Sequence, residues 1–260
     1  MATMTTDVLI VGAGPVGLTV AMDLARRGIK VMVAEIRRYG EPPNVKCNHI
    51  SARTMERFRG LGVAQKLRDA GLPAHYPNDV AFRTSVLGQE LARIPIPCRA
   101  DRYTSRSGPD TWWPTPEPPH RINQLYLEPI LLDHAANQEG VSIRNRSQVT
   151  GFVQDTGGVL ATLLDLDTEQ AQTVRCQYLL GCDGGSSTIR RAIGARLEGT
   201  PAIQSVQSTY IRAPQLRAML QEPPAWSYYS VNPRRCGTVF AIDGQETWLV
   251  HNHLLPHEKD

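Results

Sequence analysis

Three glycines and one carboxylate near the start of this 260-residue chain have the types and the spacing to hold a phosphate and a sugar. The glycines lie in the turn Gly12-Ala13-Gly14-Pro15-Val16-Gly17. Gly12 lets the backbone leave a strand sharply, Gly14 removes the side chain where a pyrophosphate must approach, and Gly17 lets the following helix lie close to a sheet. The free N–H groups that open this helix, and the positive end of its dipole, then face an anion; Pro15 and Val16 complete that turn. Glu35, eighteen positions after Gly17, can accept hydrogen bonds from both ribose hydroxyls of an adenine nucleotide, and its charge repels a 2′-phosphate. The pattern therefore points to FAD or NAD rather than NADP.

A second acid stands in another glycine turn, Gly181-Cys182-Asp183-Gly184-Gly185. A carboxylate beside a phosphate would be repelled, so Asp183 suits a sugar-type hydroxyl better, with Arg190 one helix face away to balance its charge. A plain strand-to-helix crossover capped by Ser186 or Ser187 accounts for the same residues.

Local patterns supply the elements that position these groups. Asp7 to Val11 is a buried strand, and Leu18, Ala21, Met22, Leu24 and Ala25 recur at helical spacing up to Gly28. A second strand, Ile29 to Ala34, delivers Glu35. A polar loop with Pro42-Pro43 follows and carries Lys46. Ser51 caps a helix with Met55, Phe58 and Leu61 on its apolar face; Arg53, Arg57 and Arg59 ride on it, ordinarily as a solvated basic face. Residues 80–96 form a hairpin around Leu87-Gly88 that belongs to a second layer. Cys98 to Pro119 reads as a long irregular loop of the kind that serves as a lid. Its Trp112-Trp113 pair either stacks on a flavin or aromatic substrate or packs the loop down. Pro129 restricts the next helix to a start near Glu128, which leaves Gln124 just before it. Strands at 141–144, 148–153 and 159–166 precede the Tyr178 to Gly181 strand. Beyond Leu197, segments 206–212, 226–231, 237–242 and 247–253 form an antiparallel sheet. His251 and His253 share a face there, but no third ligand is at metal spacing.

Composition narrows the class. A net charge of +3 without basic runs gives no sign of a nucleic-acid or membrane partner, and 41% hydrophobic residues suffice for a core. Five scattered cysteines form no CxxC pair, which suits a reducing, cytoplasmic compartment. No basic-then-apolar leader opens the chain, and no apolar run reaches the eighteen residues needed to span a bilayer.

Taken together, the chain resembles the FAD-dependent aromatic hydroxylases, the single-component flavoprotein monooxygenases typified by para-hydroxybenzoate hydroxylase. The resemblance rests on the first glycine turn with Glu35, on Ser51 to Glu56, on Gln124 to Pro129, and on Cys182-Asp183-Gly184 followed by Ser187 and Arg190. It implies an α/β fold, a Rossmann-like FAD-binding domain with an antiparallel sheet as substrate layer, incomplete at the C-terminus. The FAD-binding parts would be 1–79 and 119–198, with 80–118 as the hairpin and loop insertion and 199–260 as a partial substrate domain. It also implies that the ADP half of FAD sits on Gly12, Gly14, Pro15, Val16, Gly17 and Glu35. Arg53, Gln124 and Asp183 would lie along the rest, and Lys46, where the family carries Arg, would keep the charge but lose the forked donor geometry.

The implied chemistry is reduction of the flavin by NAD(P)H and transfer of one oxygen of O₂ to an electron-rich ring in a dry site. No nucleophile is required, and Tyr229 resembles the substrate-contacting tyrosine of para-hydroxybenzoate hydroxylase, although Thr238 to Ile242 carries no basic residue to pair a substrate carboxylate. The family's further Gly-Asp motif and C-terminal helices are not in this sequence, so a catalytically incomplete FAD-binding fragment is the alternative. A flavin-dependent halogenase or dehydrogenase shares the fold, but Trp112-Trp113-Pro114 lacks the halogenase spacing. The partner is a small aromatic molecule, and a homo-oligomer is left open.

Overall fold

A computed structural model describes residues 3–46, 48–200, 203–220, 223–255 and 257–258; Cys47, one of the five cysteines, lies outside them. In chain order the strands are Met4–Thr5 (β1), Val8–Val11 (β2), Val31–Ala34 (β3), Val80–Arg83 (β4), Glu90–Ile94 (β5), Val141–Arg144 (β6), Ser147–Asp155 (β7), Gly158–Asp165 (β8), Ala171–Cys176 (β9), Tyr178–Gly181 (β10), Val206–Arg212 (β11), Ser227–Ser230 (β12), Gly237–Ala241 (β13) and Thr247–His253 (β14). The helices are Pro15–Ala25 (α1), Ala52–Gly60 (α2), Ala64–Arg68 (α3), Gln124–Ala136 (α4), Thr188–Ala192 (α5) and Pro214–Met219 (α6).

The chain divides into two compact units, one of residues 1–43 and 127–198 and the other of 44–126 and 199–260. In the first unit, β10, β2, β3 and β6 form a parallel sheet in that order. Parallel strands covered on both faces must be apolar throughout. Accordingly all four residues of β2 and all four of β3 are buried. Leu18, Ala21 and Met22 of α1 are fully buried where that helix packs over β2, β3 and β6. The opposite face, Leu9, Val11, Met32 and Ala34, packs with Val149, Ala161, Leu163 and Val174 of a second sheet. That sheet has the order β1-β9-β8-β7; β7 and β8 are joined by the Thr156-Gly157 turn. Each fully buried aliphatic side chain here contributes about 1.5–3 kcal/mol.

The second unit holds a six-stranded sheet, β11-β14-β13-β12-β4-β5. The 80–96 hairpin therefore joins the later strands edge to edge, through a parallel pairing of β12 with β4. Its core gathers Trp248, Tyr228 and Ala81 with Leu72 and Tyr76. The two tyrosine hydroxyls are satisfied at one residue: Tyr76 donates to the Ala225 carbonyl (3.2 Å), and Tyr228 accepts from the Ala225 N–H (2.7 Å). This packing explains why residues 44–79 group with the sheet unit and not with the first glycine turn.

One expectation about a helix is overturned. α4 starts at Gln124, four residues earlier than Pro129 suggests, so Gln124 lies within the helix and Pro129 in its second turn. The cause is a cap: the Asn123 side-chain oxygen accepts from the Leu125 N–H (2.9 Å), fixing the start upstream of the proline. The helix forgoes only the one bond that Pro129 cannot donate.

Candidate functional site: two glycine elbows in the first unit

The first elbow begins where β2 ends. Gly12 has φ +102°, a left-handed conformation that costs a non-glycine residue strain, and its N–H donates to the Ala34 carbonyl (2.8 Å). A Cβ on Gly17 would lie 2.0 Å from the Gly12 carbonyl oxygen, so only glycine lets α1 start this close to the turn. Gly14 is different. Its φ is −75°, open to any residue, and a Cβ there would meet no protein atom within 4 Å. Neither backbone nor packing requires glycine at position 14, and the space beside its Cα is open to a ligand.

The helix that follows is also open at its start. Gly14 provides no side-chain cap for α1, its first turn carries no acid, Pro15 holds the first position and Val16 is largely exposed. By contrast, Ser51 caps α2 through the Thr54 N–H (3.3 Å). An eleven-residue helix whose leading N–H groups and dipole are unmatched by any side chain is suited to a pyrophosphate.

Glu35 extends from the end of β3 and is 6% exposed. Its Oε2 accepts from the Ala13 N–H inside the turn (2.7 Å), and its Oε1 accepts from the Arg37 N–H (2.9 Å) and Nε (3.1 Å). Arg37 in turn reaches the buried Glu128 of α4, with Nη2 2.5 Å from Oε1. Burial opposes the charge on Glu35, but the hydrogen bonds from Arg37 and Ala13 outweigh it and hold the pKa below the usual carboxylate value. The residue thus stays anionic, as rejection of a 2′-phosphate requires. It also ties the elbow to β3. Sequence reasoning missed Arg37 and Glu128; the only local signal is an arginine two positions after the acid, because Glu128 arrives from a distant helix.

The second elbow touches the first. A Cβ on Gly12 would fall 2.6 Å from the Cys182 carbonyl oxygen and 3.2 Å from the Asp183 Cα, and the Cys182 N–H donates to the Val11 carbonyl (2.8 Å). Here the acid faces its own helix. The Asp183 carboxylate accepts from the Ser187 hydroxyl (2.5 Å), the Thr188 N–H (2.6 Å) and the Thr188 hydroxyl (2.9 Å), while Ser187 caps α5 through the Arg190 N–H (2.9 Å). Burial raises the pKa of Asp183, but those hydroxyl and amide bonds prevail and lower it. Arg190 does not balance that charge as the spacing suggested; its Nη1 donates to the Gly185 carbonyl (2.8 Å).

Other candidates belong to the second unit. The Lys46 carbonyl accepts from the Gln124 N–H (3.0 Å). Arg53 is exposed and pairs with Glu56 (2.9 Å). Tyr229 stacks on Phe82 with ring centres 5.2 Å apart. Trp112 is 82% exposed, and Trp113 lies under the Arg102 guanidinium at 5.5 Å. His251 packs edge-on against Phe240. No helix among the described residues is long and apolar enough to cross a membrane.

The chain is similar to several known proteins. Tetracenomycin A2 monooxygenase-dioxygenase of Streptomyces glaucescens is 32% identical over 99% of this chain and 48% of its own. Aklavinone 12-hydroxylase DnrF of Streptomyces peucetius subsp. caesius is 32% identical over 91% of this chain and 47% of its own. Among solved structures, the substrate-free rebeccamycin biosynthetic enzyme REBC superposes over 100% of this chain and 49% of its own, with a TM-score of 0.88 at 33% identity. Aklavinone-11 hydroxylase in complex with FAD and aklavinone gives 0.83 at 28% identity. The chain spans about half the length of the relatives it matches. Residues 5–260 match the FAD binding domain family, and the chain belongs to that family.

Proposed function

We propose that this chain carries the FAD-binding part of a monooxygenase that places one oxygen of O₂ on an aromatic, phenolic or polyketide-like ring, with NAD(P)H as reductant. The observation that carries the proposal is the uncapped α1 behind Gly14, adjoining the second elbow, in a turn whose Ala13 N–H is held by the anionic Glu35. That set fits the ADP part of FAD: leading N–H groups for the pyrophosphate, a glycine for its approach and a carboxylate for ribose hydroxyls.

FAD, when bound, supplies the redox and oxygen-transfer chemistry. The protein residues bind and orient it. In this assignment Gly12 and Gly17 fix the turn, Gly14, Pro15 and Val16 border the phosphates, and Glu35 selects against a 2′-phosphate. Asp183 holds the second elbow in shape by tying it to α5 and is proposed to lie along FAD beyond its ADP part. Lys46, Arg53 and Gln124 are proposed as further FAD contacts on the strength of the family pattern, with Lys46 supplying positive charge. Tyr229 and the 199–260 sheet are proposed to meet the ring of the substrate, the tyrosine's stacking on Phe82 keeping it oriented.

A visible absorption spectrum of the purified chain supplied with FAD tests the cofactor, and flavin bands that survive gel filtration are expected. Oxidation of NAD(P)H by the flavin-loaded protein should rise with a phenolic or polyketide-like compound and yield a product heavier by one oxygen. Bound flavin without such stimulation across a broad panel would overturn the hydroxylase assignment and leave only the cofactor.

A further inference from the structure

Within the second unit, four arginines surround one small enclosed space: Arg68, Arg99, Arg102 and Arg121 line a cavity of about 10 Å³ together with Asn78 and His120. The four arginines come from α3, from the start of the irregular 98–119 stretch and from just beyond its end, so the loop is folded around cations on both sides of it. Arg102 is 3% exposed; its Nη2 meets Asp110 (2.5 Å), but its Nε and Nη1 have no partner. Arg68 is equally buried. It donates to Glu117 (2.8 Å) and to the Pro118 carbonyl (2.6 Å), again leaving Nε unpaired. The Nε atoms of Arg99 and Arg121 are buried and unpaired as well.

The nearby carboxylates do not match this charge. Asp110 is shared between Arg102 and Arg121, the latter at 3.6 Å. Glu117 serves Arg68 and, at 3.6 Å, Arg59. Asp69, 3.6 Å from Arg99, has a 61% exposed side chain and is screened by solvent. Aromatic faces do part of the work: Arg121 lies 4.0 Å over Trp226, Arg102 over Trp113 and Arg68 over Tyr103. They stabilise cations but accept no N–H in the guanidinium plane. Five buried guanidinium nitrogens without acceptors, in a region with more cations than anions, would cost several kcal/mol if left so. The imidazole of His120 responds to the same surplus: burial first, then Arg68 and Arg99, push its pKa down to about 4.

We propose that this cavity is a binding site for a small inorganic anion of single-atom size, chloride under ordinary conditions, which accepts the unpaired N–H groups of Arg68, Arg99, Arg102 and Arg121 and pins the 98–119 loop to α3. The volume is that of about one water-sized sphere, which excludes phosphate, sulfate and carboxylates. A water fits equally well by size but brings no charge and accepts only about two hydrogen bonds, fewer than the cavity offers.

Two measurements decide it. In crystals of the protein grown with sodium bromide, a bromine anomalous peak is expected among Arg68, Arg102 and Arg121; a water or an empty cavity there overturns the proposal. In solution, thermal unfolding is compared in sodium chloride and sodium gluconate at equal ionic strength, gluconate being too large to enter. The wild-type Tm should be higher in chloride by about 3–5 °C once chloride is tenfold above its dissociation constant, and Arg102→Met should abolish the difference. Equal Tm in the two salts, or a chloride effect that persists in Arg102→Met, contradicts the site. Should that variant fail to fold, the bromide map of the wild-type protein still decides.

Discussion

The two glycine elbows look alike in sequence: an apolar strand, a turn with several glycines and a helix. They differ in what they do with the helix start. At the first, α1 begins without a side-chain cap and the acid, Glu35, comes from the neighbouring strand to brace the turn from behind. At the second, the acid lies in the turn itself, and together with Ser187 and Thr188 it satisfies the start of α5. The first elbow keeps its N–H groups for something outside the protein, whereas the second uses its polar groups to hold its own shape. Both elbows hold tight and open glycines: a Cβ at Gly12 or Gly17 would strike backbone and one at Gly181 the Ile189 side chain at 2.8 Å, while one at Gly14 or Gly184 would meet nothing within 4 Å.

Gly17→Ala should have the largest effect. The added carbon would lie 2.0 Å from the Gly12 carbonyl, so α1 must move away from the sheet. A loss of about 4 kcal/mol or more is expected in urea unfolding, and a loss below about 1 kcal/mol would break the claim that the first elbow is built on contact.

Glu35→Gln comes next. It leaves a neutral acceptor for the Ala13 N–H but uncouples Arg37, and should destabilise by about 2 kcal/mol. The pH dependence carries a sign. Because the folded pKa of Glu35 lies below its ordinary 4.5, its contribution is complete above that value and is lost as pH falls through the folded pKa. Stability curves measured from neutral to acidic pH should therefore converge for wild type and variant at the acid end; parallel curves would remove Glu35 from the brace.

Asp183→Ala sharpens the contrast from the other side. Loss of the carboxylate acceptor at α5 should cost about 1 kcal/mol and speed hydrogen exchange of the Thr188 and Ile189 amides, with little change at α1. An equal rise in exchange across both helices would mean that the elbows act as one element.

The sequence carries the first elbow almost completely, because most of its demands are local. A four-residue buried strand needs an unbroken apolar run, Gly12 is required by its own positive φ and Gly17 by the Gly12 carbonyl, and Glu35 follows at a fixed distance along the chain; only the approach of the Cys182 carbonyl to Gly12 comes from far away. The second elbow is legible as strand, turn and capped helix, but the direction of the Asp183 carboxylate is not, since hydroxyls at 187 and 188 compete for it at a distance no spacing rule reveals. Long-range pairings escape for another reason, that their partners stand far apart in the chain. Glu128 meets Arg37 from α4, and the parallel register of β12 with β4 joins residues about 150 positions apart. The start of α4 lies upstream of where Pro129 alone would set it because a single Asn123 side-chain bond outweighs the restriction set by that proline.

The most direct test is an FAD titration of Gly14→Ala beside wild type, with Tm recorded for both apoproteins. Alanine is compatible with φ −75° and meets no protein atom, so the variant should fold with a Tm equal to or slightly above wild type yet bind FAD about tenfold or more weakly. Equal affinity in the two proteins would contradict the assignment of the first elbow as the place where FAD phosphates approach the backbone.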